Sequence, residues 1–103
     1  MAKIGSQNRL LIPKDLTNLL KIDGRVGIFW DNNEKKIYLD SLDNNQANFC
    51  ICVRNLDNKN RICIPDNILS LIEADRTSKF VIAVKKHRIY IFKVDDAKEI
   101  GTL

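Results

Sequence analysis

The sequence predicts a mainly-β domain with two short helices, an α+β arrangement built from two copies of one unit about a pseudo-two-fold axis. A nine-residue stretch occurs twice, as NRLLIPKDL at 8–16 and as NRICIPDNI at 60–68. The offset of 52 residues, fixed by Arg9/Arg61 and Pro13/Pro65, holds without a gap from Lys3/Asn55 to Asp40/Phe92. Eight of those 38 pairs are identical: Asn8/Asn60, Arg9/Arg61, Ile12/Ile64, Pro13/Pro65, Leu19/Leu71, Asp23/Asp75, Ile37/Ile89 and Tyr38/Tyr90. Chance gives roughly two or three, so the chain carries an internal duplication. Two units are too few for a solenoid. Half the chain, about 50 residues, is marginal as a domain, so the two units are expected to share one core within a single domain, 1–103.

The first unit, 1–40, opens with a stub of strand at Lys3 and Ile4. The stretch Gly5-Ser6-Gln7-Asn8 has turn chemistry, since Gly and Asn tolerate positive φ. Residues 9–12 are β-prone. Pro13 fixes φ at a value suited to a first helical position, and Asp15 places negative charge at the positive end of the helix. Leu16, Leu19 and Leu20 stand at i, i+3, i+4 and predict the buried stripe of that helix. Asp23-Gly24 ends it. Val26, Ile28 and Trp30 alternate with Gly27 and Phe29, which suggests a strand with both faces partly covered. Asp31-Asn32-Asn33 reads as a tight turn, and residues 36–39 return with Ile37 and Leu39 on one face and Tyr38 on the other.

Residues 41–48, SLDNNQAN, form the linker. The second unit, 49–94, repeats the order: a strand at 49–53, a turn at 56–60, a strand at 61–64, and a helix opened by Pro65 with the stripe Ile68, Leu71, Ile72. A strand follows at 80–84, then a turn at Lys85-Lys86-His87 and a returning strand at 88–94. Residues 95–103 are a short polar tail.

Charge and cysteine content narrow the function. The net charge is +4, split +1 over 1–48 and +3 over 49–103, a mild bias toward anionic partners. Cys50, Cys52 and Cys63 lack metal-ligand spacing and are expected to be small buried hydrophobes in a reducing cytosol, with Cys50 and Cys52 on one strand face. No apolar run reaches membrane-spanning length and no signal-peptide core precedes the first unit, which predicts a cytoplasmic protein without membrane contact. His87 is the single histidine and has no nucleophile or carboxylate close in sequence. No hydrolase, cofactor or metal motif occurs, so no enzyme activity and no cofactor are expected.

The order of turn, arginine, short strand, Ile-Pro, helix and β-hairpin resembles the AbrB/MraZ swapped-hairpin family over nearly the whole chain. The resemblance implies two tandem units that interlock their hairpins into one barrel-like, pseudo-two-fold domain. It also implies a nucleoid-associated transcription regulator that contacts double-stranded DNA through arginines of the turn and strand, with further homo-oligomerisation possible. Carried over, Arg9 and Arg61 match the arginine before the strand, and Asp57 with Arg61 spells the Asp-x-x-x-Arg signature of MraZ-type units. Gly5 stands in place of that aspartate in the first copy. Arg54 and Lys3 occupy the basic positions of the first strand. Asn8 and Asn60 replace a glycine, and Thr17, Asn18, Leu69 and Ser70 stand where AbrB-type helices often carry arginines.

The expected DNA contacts are Arg9, Arg61, Arg54, Lys59, Lys3, Asn8 and Asn60. A guanidinium makes bidentate contacts to phosphate or to guanine. Two alternatives stay open. Each arginine could instead pin its own turn by pairing with Asp57 or a backbone carbonyl, and the asparagines could shape the turn rather than read bases. The run Lys85-Lys86-His87-Arg88 reads as a solvated turn or a second phosphate patch. The competing function is a protein-interaction or oligomerisation module, including an antitoxin-like role, that keeps the fold without DNA contact. The missing helix arginines and modest charge favour it, while nine residues after Val94 are few for the disordered arm of an antitoxin.

Overall fold

The computed structural model describes residues 2–42 and 49–94. The order is β1 (Ala2–Lys3), β2 (Arg9–Leu11), α1 (Lys14–Leu19), β3 (Arg25–Asp31), β4 (Lys36–Asp40), β5 (Phe49–Asn55), β6 (Arg61–Cys63), α2 (Asp66–Leu71), β7 (Lys79–Lys85) and β8 (Arg88–Lys93). The domain is mainly β with two short helices, as its sequence predicts. Most of the expected linker, 43–48, and the expected tail, 95–103, lie outside the described residues.

Six strands form an antiparallel sheet in the order β1-β7-β8-β4-β3-β5, curved into a half-barrel, and β2 with β6 forms a separate two-stranded ribbon. Every strand pairing except the two hairpins joins the first half of the chain to the second: β1 to β7, β2 to β6, β3 to β5 and β4 to β8. Residues 52 apart lie directly opposite each other at two places, Leu10 against Ile62 in the ribbon and Tyr38 against Tyr90 in the sheet.

The gapless 52-residue offset does not extend into the hairpins. Ala2 lies opposite Phe80, whereas Arg54, 52 residues after Ala2, lies opposite Val26. Val26 and Phe80 are 54 apart, so β7 is displaced by two residues relative to β3. The hairpin ends compensate. Four residues join the pair Asp31/Lys36, but only Lys86 and His87 join Lys85/Arg88. Those two have φ of 55° and 60°, as a two-residue type I′ turn requires.

Period-2 alternation sorts the sheet into two faces. Val26, Ile28, Ile37, Leu39, Phe80, Ile89 and Ile91 join Leu10 and Ile62 of the ribbon, and Ile12 and Ile64 just beyond it, in the main core. Phe29, Tyr38 and Tyr90 form a second buried cluster on the other face, with Phe92 packed on it. The predicted separation of Ile37 and Leu39 from Tyr38 is what the structure shows.

Two expectations about burial need correction. Leu19 and Leu71 are not part of the helix stripes; they are 56% and 48% exposed. Each helix is only six residues long, and it turns the i, i+1, i+4 set inward: Leu16, Thr17 and Leu20, then Ile68, Leu69 and Ile72. The cysteines differ as well. Cys50 and Cys63 are exposed, and Cys52 is half-buried. A β-bulge at Ile51 pairs Cys52 with Ile28 but Cys50 with Phe29, which puts the two cysteines on opposite faces.

Both helices end alike. Lys21 and Glu73 adopt left-handed φ of 56°, and the next residue donates back: Ile22 N–H to Thr17 O at 2.9 Å, and Ala74 N–H to Leu69 O at 2.8 Å. This six-to-one bond closes a Schellman-type cap, where glycine is the favoured residue. Lys21→Gly and Glu73→Gly should therefore each stabilise the domain by about 0.5–1 kcal/mol in urea unfolding, because relief of the left-handed Cβ penalty, about 1–2 kcal/mol, exceeds the added chain entropy of glycine, about 0.4–1 kcal/mol.

Candidate nucleic-acid interface

The ribbon of β2 and β6 carries two of the predicted contacts. Leu10 and Ile62 point into the core, so alternation turns Arg9, Leu11, Arg61 and Cys63 to the outer face. Arg9 lies opposite Cys63 and Arg61 opposite Leu11. The two arginines are thus diagonal neighbours, roughly 7–8 Å apart by strand geometry and somewhat closer at Cβ. Both side chains are half-exposed, and Leu11 beside them is 57% exposed. Leu11 and Cys63 were not among the predicted contacts, although the same alternation that places the arginines outward places them there too.

The arginines are held differently. Arg61 Nε donates to Asp57 Oδ2 at 2.8 Å, and Asp57 Oδ1 accepts from the Arg61 amide at 2.8 Å and the Lys59 amide at 2.9 Å. The Arg61 amide, with its side chain and the Lys59 amide, holds the Asp57 carboxyl below its ordinary range against the opposing effect of burial. The turn-pinning role considered for Arg61 is therefore present in its Nε contact. Gly5 leaves Arg9 without such a partner, and its Nη2 donates to Gln7 Oε1 instead.

Asn8 and Asn60 tie the halves together. Both have left-handed φ, 57° and 61°, which asparagine tolerates better than most residues. Asn60 O accepts from Ile12 N–H and Asn8 O from Ile64 N–H, each at 2.9 Å. The Asn60 amide donates to Ile12 O at 2.7 Å and Thr17 Oγ1 at 3.2 Å; the Asn8 amide donates to Asp66 Oδ1 at 2.7 Å. Asn8 is only 7% exposed. These contacts engage both side-chain amides across the two halves.

The remaining predicted contacts are not on the ribbon face. Lys59 is exposed in the turn beside Arg61. Lys3 is exposed on β1 opposite Lys79. Arg54 lies on β5 opposite the core residue Val26, with its Nε enclosed. The basic run at the second hairpin meets carboxylates of the first. Lys85 and Lys86 reach Glu34 at 3.2 and 3.9 Å, and Arg88 reaches Asp31 at 3.5 Å while stacking 4.5 Å from the Tyr38 ring centre. Three of its four side chains thus lie against carboxylates, with Lys85 and Lys86 sharing the single carboxylate of Glu34.

No helix among the described residues is long and apolar enough to cross a membrane. A scan against protein-family models finds no match to this chain, and no curated protein matches it in sequence.

Proposed function

We propose that this chain is a DNA-binding regulator of the AbrB/MraZ swapped-hairpin type, with both units of a pseudo-dimer in one polypeptide. The observation that carries this reading is the diagonal pair Arg9 and Arg61 on the outer face of a two-stranded ribbon, one residue to either side of the Leu10/Ile62 pair. The major groove of a duplex admits a two-stranded ribbon. A guanidinium on each side of a pseudo-dyad suits a ligand whose two backbones run in opposite directions. Asp57 orients Arg61 through Nε, so the two Nη groups are left to contact phosphate or a guanine edge. The cross-paired strands support the swapped-hairpin assignment, since each hairpin is completed by the first strand of the other half.

Fluorescence anisotropy with a labelled random duplex at two salt concentrations tests the proposal. Arg9→Ala with Arg61→Ala is expected to weaken binding at least tenfold and flatten the log–log salt slope by about 1.8, or 0.9 per lost phosphate contact. Binding equal to wild type would remove the two arginines from the interface. One observation favours the interaction-module reading: Leu11 is a large apolar side chain beside both arginines on the exposed face. Association with a protein that is insensitive to salt and lost in Leu11→Ser would support that alternative.

A further inference from the structure

The two halves cover each other's hairpins unequally. On β3, the outer edge is paired by β5 along Arg25 to Trp30. On β7, β1 pairs only Lys79 and Phe80, and no described residue pairs with the edge at 81–85. Ile82 is half-buried against the core and Val84 is 36% exposed. An apolar groove beside this edge is bounded by Leu11, Pro13, Phe80 and Ile82.

The fold shows what fits such an edge. Gly27, Ile28, Phe29 and Trp30, the counterparts of residues 81–84, are paired by the backbone of Val53, Cys52, Cys50 and Phe49 in an antiparallel strand. Ile51 and Cys52 of that strand pack on the core. Cations flank the open edge. Lys3 lies directly opposite Lys79 at one end, and at the other the exposed Lys85 and Lys86 share the one carboxylate of Glu34, which leaves a net positive charge there. These lysines oppose self-pairing. Two β7 edges paired antiparallel about Ala83 would set Lys85 of one copy diagonal to Lys79 of the other. The same charges favour an occupant with acidic ends.

We propose that the outer edge of β7, residues 81–85, is a strand-addition site for an extended partner peptide with apolar residues at alternate positions and acidic ends. The edge at 81–85 belongs to the six-stranded sheet and not to the ribbon, although Leu11 of the ribbon borders the groove beside it, and the proposal does not depend on DNA binding. The probe is the synthetic peptide Asp-Asp-Phe-Ser-Ile-Ser-Val-Asp-Asp, which carries residues 49–53 with serine for each cysteine. Titration into labelled protein should move the amide NMR signals of 81–85 saturably and slow their hydrogen exchange. A backbone N-methylated form of the peptide should fail to bind. Val84→Lys should weaken peptide binding at least tenfold while leaving the melting temperature and duplex affinity unchanged. The proposal is overturned if millimolar peptide leaves these signals in place, if the N-methylated form binds equally, or if the shifts fall elsewhere. A wild-type dimer that Val84→Lys dissolves would overturn it in favour of a second copy as occupant.

Discussion

Tyr38→Ala is expected to lower the unfolding free energy by about 4 kcal/mol, in the range for removing a large buried aromatic ring. For a domain of this size that is a fall in melting temperature of roughly 15–30 °C. Tyr38 is fully buried. Its ring stacks on Phe29 at 5.2 Å and 9°, meets Tyr90 at 5.4 Å, and lies under the Arg88 guanidinium. It also sits opposite Tyr90 in the β4–β8 pairing that joins the two halves at the middle of the sheet. Truncation therefore opens a cavity where the halves meet and removes the ring on which Arg88 rests. Chemical denaturation followed by circular dichroism measures the loss. A change below 1 kcal/mol would mean that the second cluster repacks freely.

Asp31→Ala should cost about 3 kcal/mol, since charge-assisted hydrogen bonds are among the costlier to remove. Asp31 Oδ2 accepts from the Tyr90 hydroxyl at 2.6 Å, and Oδ1 accepts from the amides of Asn33 and Glu34 at 2.9 and 3.1 Å. Without the carboxylate those donors and Arg88 lose their acceptor. Burial by itself raises the Asp31 carboxyl, but the Tyr90 hydroxyl, the two amides and Arg88 together bring it below its ordinary value. The linked stability is therefore fully present above the unfolded value, about 4. It is lost as pH falls through the lower folded value. Asp57 and Asp75 are also lowered and contribute to the same acid limb. The comparison that isolates Asp31 is wild type against Asp31→Asn, whose stability should decline less between pH 4 and acid.

The strands were readable because their alternation survives in the fold: Ile37, Leu39, Ile89 and Ile91 face the core, and Tyr38 and Tyr90 face away. Which strand pairs with which was not readable from alternation, which fixes faces and not neighbours. The duplication supplied that information only where it is strict. Identical pairs stop at Asp23/Asp75 and resume at Ile37/Ile89, and the two-residue displacement of β7 lies within that silent interval. Aligning Ile28 with Ile82 would have exposed it. The helix stripes misled because a six-residue helix is too short for i, i+3, i+4 spacing to select one face. At the ribbon, the arginines were legible from the repeat. The pairing of Arg61 with Asp57 was legible too, since Gly5 offers no carboxylate in the first copy, whereas the contact of Arg9 with Gln7 depends on side-chain geometry across a turn. The bulge that exposes Cys50 had no sequence signal.

The crossed pairing also fixes when the chain can fold. During synthesis, β3 and β4 emerge well before β5 and β8, and β2 waits for β6. A ribosome that has made only the first forty residues holds a hairpin with both outer edges unsatisfied and a ribbon strand with no mate. Contacts this distant in sequence close slowly, because the loop entropy is lost before they form. The ribbon and the β3–β5 pairing can close once β6 has been translated, but the middle of the sheet, where β4 meets β8, is completed last.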